Sequence, residues 1–120
     1  MNILSSTLGA AALFLSAAAL ADFTGALGTV AQVSVIGSSS DETYLARGRL
    51  LIDEGDQFYR TYQWGGTACN GKNMSEDDVA NFMMALRDRR SVTVTPIWSA
   101  GAGTKRCLVA YRITANDIVQ

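Results

Sequence analysis

Apolar and polar residues alternate, at least in part, over three segments in the first half of the chain, with the period of two that is typical of β-strands. After a small-residue lead-in that we expect to be poorly ordered, residues 29–36 are rich in β-branched side chains and predict a first strand. Residues 44–52 and 57–64 predict a second and a third strand. The acidic turn between them, residues 53–56, contains a glycine that tolerates positive φ, which favours a β-hairpin.

The period then changes to that of an α-helix. Ser75 at the N-cap and Asp78 at the third helical position predict a capping box, with Asp in place of the usual Glu. Acidic residues follow the cap and arginines close the segment, which suits the helix dipole. We expect one face of this helix to enter the core, formed by residues spaced i, i+3, i+4 and i+7: Val79, Phe82, Met83 and Leu86.

Two further strands follow the helix. Residues 91–98 alternate in the strand pattern, but Pro96 cannot donate a backbone hydrogen bond, which predicts an edge strand or one that ends early. Residues 99–104 predict a flexible hairpin loop, and residues 105–113 a fifth strand. The order β-β-β-α-β-β predicts an α+β fold, in which an antiparallel sheet of about five strands carries one helix on a face.

The start of the chain predicts export. Residues 1–21 carry no charged side chain, and a short apolar core ends in Ala19-Leu20-Ala21, which is typical of a secretory signal peptide cleaved before Asp22. The alternative is an uncleaved membrane anchor, which needs about 20 predominantly apolar residues. We expect cleavage, which leaves residues 22–120 as a single small domain, periplasmic or secreted, without stable membrane insertion.

Cys69 and Cys107 are the two cysteines of the chain. An even number of cysteines in an exported protein predicts a disulfide. It would close a loop of 38 residues, which corresponds to about 4 kcal/mol of loop-closure entropy. The alternative, a redox or metal-binding pair, lacks a Cys-x-x-Cys spacing and histidine ligands, because the chain has no histidine.

The charge and composition disfavour several functional classes. Ten basic and eleven acidic residues leave no basic stripe for nucleic-acid phosphates. Without histidine, neither a Ser-His nor a Cys-His catalytic pair is possible, and no serine is matched to the lysines, Lys72 and Lys105. We therefore expect no enzymatic activity, cofactor or metal. A carboxylate-based enzyme is the alternative that spacing alone does not exclude.

Residues 66–73 match the G-x-x-x-x-G-K pattern of a phosphate-binding loop. Asn73 stands where Ser or Thr would ligate magnesium, and the three acidic residues that follow Ser75 would repel phosphate. We interpret the segment as a turn that brings Cys69 to Cys107. Asn73 also begins a glycosylation sequon. The acidic turn at residues 53–56 does not have the spacing of a calcium loop.

Aromatic and arginine side chains are the better candidates for function. Tyr59 and Trp98 would stack on a sugar or anchor a partner protein if they lie on the open face or rim of the sheet. Arg47 and Arg49 share one face of the second strand and would suit an acidic partner. The alternatives are core or edge packing for the aromatic residues and a solvated strand face for the arginines.

Together these patterns predict a binding or inhibitor module whose partner is a protein or another envelope or extracellular ligand. The predicted binding surface is the sheet face or the loops at residues 65–73 and 99–104. The alternative is a structural or oligomer-forming envelope component, in which the strand with Pro96 or the first strand pairs with another chain.

Overall fold

A computed structural model describes residues 22–117. The predicted leader, residues 1–21, lies outside the described residues. The described part contains one α-helix, one short 3-10 helix and a six-stranded sheet. In chain order the elements are β1 (Phe23–Thr24), β2 (Thr29–Val35), the 3-10 helix (Asp41–Tyr44), β3 (Gly48–Asp53), β4 (Tyr59–Trp64), α1 (Glu76–Arg87), β5 (Val92–Ala100) and β6 (Arg106–Ala115).

The α+β class, the single helix within residues 22–117 and the disulfide are confirmed, but the predicted sheet is wrong in two respects. It has six strands rather than about five, in the order β1-β5-β6-β4-β3-β2. It is also not wholly antiparallel, because β6 pairs in parallel with β4. The two-residue β1 lies in the lead-in that was expected to be poorly ordered, and a strand so short leaves no alternation in the sequence.

The sheet closes on itself, because one segment of chain, residues 23–35, supplies both of its outer strands. Its first part, β1, pairs with β5. Gly28 then exchanges two backbone hydrogen bonds with Val94 of β5, at 3.0 and 2.8 Å. The next residue, Thr29, already pairs with Asp53 of β3. Position 28 needs glycine, because a Cβ there would collide with the Asp53 carbonyl and the Ile52 side chain.

The predicted edge strand is wrong, because β5 has neighbours on both sides. Pro96 pairs with Tyr111 of β6, and its carbonyl accepts a hydrogen bond from the Gly25 amide at 2.8 Å. In an antiparallel strand the N–H and C=O of one residue point to the same side. The missing N–H of Pro96 therefore faces residues 25–28, where the pairing is already irregular, and β6 loses no hydrogen bond.

Strands β5 and β6 each extend two residues beyond their predicted ends, and the starts of the second and third predicted strands differ for local reasons. The second predicted strand begins at Gly48 rather than at residue 44, because Ser40 caps the 3-10 helix by accepting a hydrogen bond from the Glu42 amide. The third begins at Tyr59, because Asp56 and Gln57 have positive φ values of 54° and 62°. Both backbone conformations end the extended chain.

Helix α1 begins as predicted. The Ser75 hydroxyl accepts a hydrogen bond from the Asp78 amide, and the Asp78 carboxylate accepts one from the Ser75 amide, which completes the capping box. The predicted core face is partly wrong, since Phe82 and Ala85 are fully buried whereas Met83 is 50% exposed. The predicted residues Val79 and Leu86 are partly buried against the core.

The core fills the interior of the closed sheet and is covered by α1. The Phe82 ring packs against Trp64 and Tyr111, with centroid distances of 5.6 and 4.6 Å. The other buried members come from the strands: Val30, Leu50, Ile52, Tyr62, Val94 and Leu108. Within residues 22–117, neither helix has the length and apolar character needed to cross a membrane.

Candidate functional site

The disulfide ties one predicted binding loop, residues 65–73, to β6, beside the other predicted loop. Cys69 and Cys107 are bonded, with their Cα atoms 5.5 Å apart, and both are buried. The Ala102 amide donates a hydrogen bond to the Ala68 carbonyl at 3.0 Å. Gly101 lies against the sulfur of Cys107, where any side chain would collide. The predicted loop at residues 99–104 is shorter than expected, because β5 extends to Ala100, and its remainder forms one tethered unit with the loop at residues 65–73.

The loop at residues 65–73 is further fixed by its own backbone. Gly65, Gly66 and Gly71 have positive φ values of 70°, 69° and 78°. The Gly65 amide donates to the Lys72 carbonyl at 2.6 Å, and the Thr67 amide donates to the Tyr44 carbonyl at 2.6 Å. The loop thus packs on the end of the 3-10 helix, and Lys72 does not line the groove that the loop forms.

A groove of about 470 Å³ lies between this loop and the 3-10 helix. We call it the polar groove, because its walls carry hydroxyl, amide and guanidinium groups beside glycine backbone. Arg47 is the charged residue among the lining side chains. The lining side chains are Thr43, Tyr44, Arg47, Thr67, Asn70 and Asn73.

A second groove, of about 500 Å³, adjoins the first, and Arg47 and Asn73 line both. We call it the apolar groove and refer to the two together as the Arg47 surface. Its walls come from the end of β2, the last residue of β4 and the start of α1, and its apolar members are Val35, Ile36, Trp64, Met74 and Val79.

Exposed apolar side chains surround the Arg47 surface. Tyr44, Leu45 and Val35 are 75%, 58% and 65% exposed. Sequence reasoning missed this cluster because it placed residue 44 in a strand. The signal that was available is Ser40 followed by Asp41 and Glu42, which is typical of a helix start.

The predicted arginine pair is divided between two grooves. Arg49 lines a separate groove of about 360 Å³, which we call the basic groove, together with Gln63 and Lys105. The Arg49 guanidinium lies 3.7 Å from the Glu42 carboxylate. Gln63 is 5% exposed and is the buried polar residue of the described core. Arg47 and Arg49 thus contact different cavities although they are two residues apart.

The predicted aromatic residues do not meet either. The Phe23 ring stacks on the Trp98 ring at 4.7 Å, and the Arg106 guanidinium lies 5.5 Å from the Trp98 centroid. Phe23 and Arg106 belong to the strands on either side of β5, so the indole is flanked by both. Tyr59 is 50% exposed and lines none of the grooves described above.

Neither a metal centre nor a known relative identifies the site. Among residues 22–117, no group of three or more Cys, Asp or Glu side chains is arranged to hold a metal ion. No protein family matches the chain, and neither a curated protein nor a solved structure is significantly similar to it. The geometry of the grooves is therefore the basis for any statement about function.

Proposed function

We propose that this chain is an exported, non-enzymatic binding module, and that its Arg47 surface binds a segment of a partner polypeptide. The observation that carries the proposal is the junction of a polar and an apolar groove at one arginine. Within the described residues, Arg47 takes part in none of the three ion pairs. Its guanidinium is therefore available to a carboxylate of the partner.

The residue types at this surface support a polypeptide as the ligand. Tyrosine and arginine are the side chains that most often dominate the binding energy of protein interfaces, and Tyr44 and Arg47 lie in the same groove. A peptide chain would place apolar side chains on Val35 and Met74 while its polar groups face the glycine loop. Because the disulfide already orders that loop, little conformational entropy is lost on binding.

The disulfide and the apolar leader support the exported setting. Disulfides persist in oxidising compartments such as the periplasm or the extracellular space, and Cys69 and Cys107 are both bonded. The alternative, an oligomer-forming envelope component, has less support at one of its two proposed edges, the strand with Pro96, whereas β2 is still an outer strand of the sheet. Strand β5 is paired on both sides, with β1 and with β6.

Selection from a displayed library of random peptides tests this proposal. The target is the full-length gene product after export and oxidation, so that the chain carries its native disulfide. We expect the enriched peptides to share a carboxylate next to apolar residues. Arg47→Ala should weaken their binding about tenfold or more, the loss expected for an interface anchor.

The matched control is Arg112→Ala, because Arg112 is exposed on β6 and lines none of the grooves. Peptide binding should be unchanged in this variant. The proposal is wrong if no peptide is enriched over an empty support, or if the selected peptides bind the Arg47→Ala variant as tightly as the parent protein.

A further inference from the structure

A smaller cavity of about 210 Å³ lies beside β1. It shares no lining residue with the Arg47 surface. We call it the Tyr62 cavity. Its walls come from β1 and the turn after it, from β4 and from the ends of β5 and β6. The lining residues that carry the argument are Gly25, Glu54, Arg60, Tyr62, Trp98 and Arg106.

The Tyr62 hydroxyl is a buried hydrogen-bond donor without a partner among the described residues. It lies against Gly25, where an added Cβ would fall 2.5 Å from the phenolic oxygen. Burial, followed by the charge of Glu54, raises the pKa of the Tyr62 hydroxyl above its usual value. The group is therefore protonated at neutral pH, and an acceptor placed in the cavity would satisfy its buried O–H.

Two guanidinium groups line the same cavity as this hydroxyl. The Arg60 Nε donates to both oxygens of Glu54, at 3.2 and 3.1 Å. Within residues 22–117, the terminal nitrogens of Arg60 form no hydrogen bond, and Arg106 forms no ion pair. Two positive charges and the single carboxylate of Glu54 leave an excess of one positive charge.

We propose that the Tyr62 cavity binds a carboxylate group, held by the Tyr62 hydroxyl and the guanidinium groups of Arg60 and Arg106. A planar group with two oxygens matches the donors of a guanidinium, and one negative charge balances the excess positive charge. The volume admits a group of a few non-hydrogen atoms, since one water occupies roughly 30 Å³ in the liquid. The carboxylate belongs either to a free small acid or to the C-terminus of a peptide.

Backbone amide shifts in NMR spectra of the exported, oxidised protein test the proposal. The probes are sodium acetate and sodium sulfate at constant ionic strength, and one short peptide with either a free or an amidated C-terminus. We expect acetate to shift the amides of residues 24–26 and the Trp98 indole to saturation, and sulfate to bind more weakly. At these same signals, tighter binding of the free-carboxylate peptide than of both acetate and the amidated peptide would assign the peptide source, and equal or weaker binding than acetate would assign the free acid.

Two variants examine the donors. Tyr62→Phe and Arg106→Gln should each weaken acetate binding about tenfold, as expected for a hydrogen bond to a charged group. Arg112→Gln is the matched control, and Arg47→Ala should also bind acetate normally, which separates this site from the proposed peptide surface. Unsaturable shifts, or unchanged binding by Arg106→Gln, would overturn the proposal.

The stability of the ligand-free Tyr62→Phe variant gives a second, independent readout. Removing a hydroxyl that has no partner should leave the urea midpoint unchanged or raise it. A clear decrease in the urea midpoint would show that the hydroxyl already forms a hydrogen bond inside the protein. That result would contradict the proposed role of Tyr62 as a donor to the bound carboxylate.

Discussion

Asp78 has a second role beyond the capping box that the sequence predicts. One of its carboxylate oxygens accepts hydrogen bonds from Ser75, and the other accepts a hydrogen bond of 2.7 Å from the Tyr111 hydroxyl. Tyr111 in turn accepts a hydrogen bond from the Asn81 side chain at 3.0 Å. Helix α1 is thereby tied to β6, a contact that residue spacing alone does not reveal because the two partners are far apart in the chain.

The hydrogen bond from Tyr111 is the main reason that the pKa of Asp78 is below its usual value. A carboxyl group whose pKa is lower in the folded than in the unfolded chain stabilises the fold above the unfolded pKa, and this contribution is lost as the pH falls through the folded pKa. We therefore expect Tyr111→Phe to reduce the free energy of unfolding by about 1–2 kcal/mol at neutral pH. The free energy of unfolding of this variant should also decrease less on acidification than that of the parent protein.

Urea unfolding at neutral pH and at several values below about pH 4 measures both effects. The control is Tyr59→Phe, because Tyr59 is exposed and its hydroxyl forms no hydrogen bond within residues 22–117. Parallel pH curves for Tyr111→Phe and the parent protein would show that the contact does not set the titration of Asp78.

Among the elements, α1 was the most predictable, because its capping box and its helical spacing of apolar residues are both local features of the sequence. Its rotation about its own axis was not fully predictable. Spacing allowed Met83 in the core face, but Met83 is half exposed, whereas Ala85 is buried beside Phe82 and the predicted Val79 and Leu86 pack against the core. The choice between these faces depends on which strand residues approach the helix, and the helix sequence does not contain that information.

Phe82→Ala and Met83→Ala form a matched pair that tests this rotation. The first should lower the free energy of unfolding by about 3–5 kcal/mol, because it opens a cavity beside Trp64 and Tyr111. The second should change it by only about 0.5 kcal/mol, as expected for a surface substitution. Urea denaturation measures the free energy of unfolding of both variants. Comparable decreases in the two variants would show that Met83 packs in the core.

At the scale of the whole molecule, the α+β class and the disulfide could be predicted, whereas the order of the strands could not. Element order and an even cysteine count are local or compositional signals. The parallel pairing of β4 with β6, and the sharing of residues 23–35 between two neighbours, depend on contacts between distant segments. The same limit separated the predicted site residues: Arg47, Arg49 and Trp98 line different cavities, and Tyr59 lines none of them.

The disulfide should contribute a large share of the total stability. A loop of 38 residues corresponds to about 4 kcal/mol of loop-closure entropy, compared with roughly 5–15 kcal/mol for the stability of a typical small domain. We expect the Cys69→Ala/Cys107→Ala double variant to lose most of this amount in urea denaturation. The reduced parent protein serves as the comparison, and a loss below about 1 kcal/mol in both would refute the expectation.

The shared outer segment also constrains the order of events in folding. The backbone hydrogen bonds that close the sheet join Gly28, near the start of the described chain, to Val94 in β5, the second-last strand. Contacts between residues so far apart in sequence slow folding, because a long stretch of chain must be ordered first. The sheet therefore cannot close on itself until β5 has been synthesised.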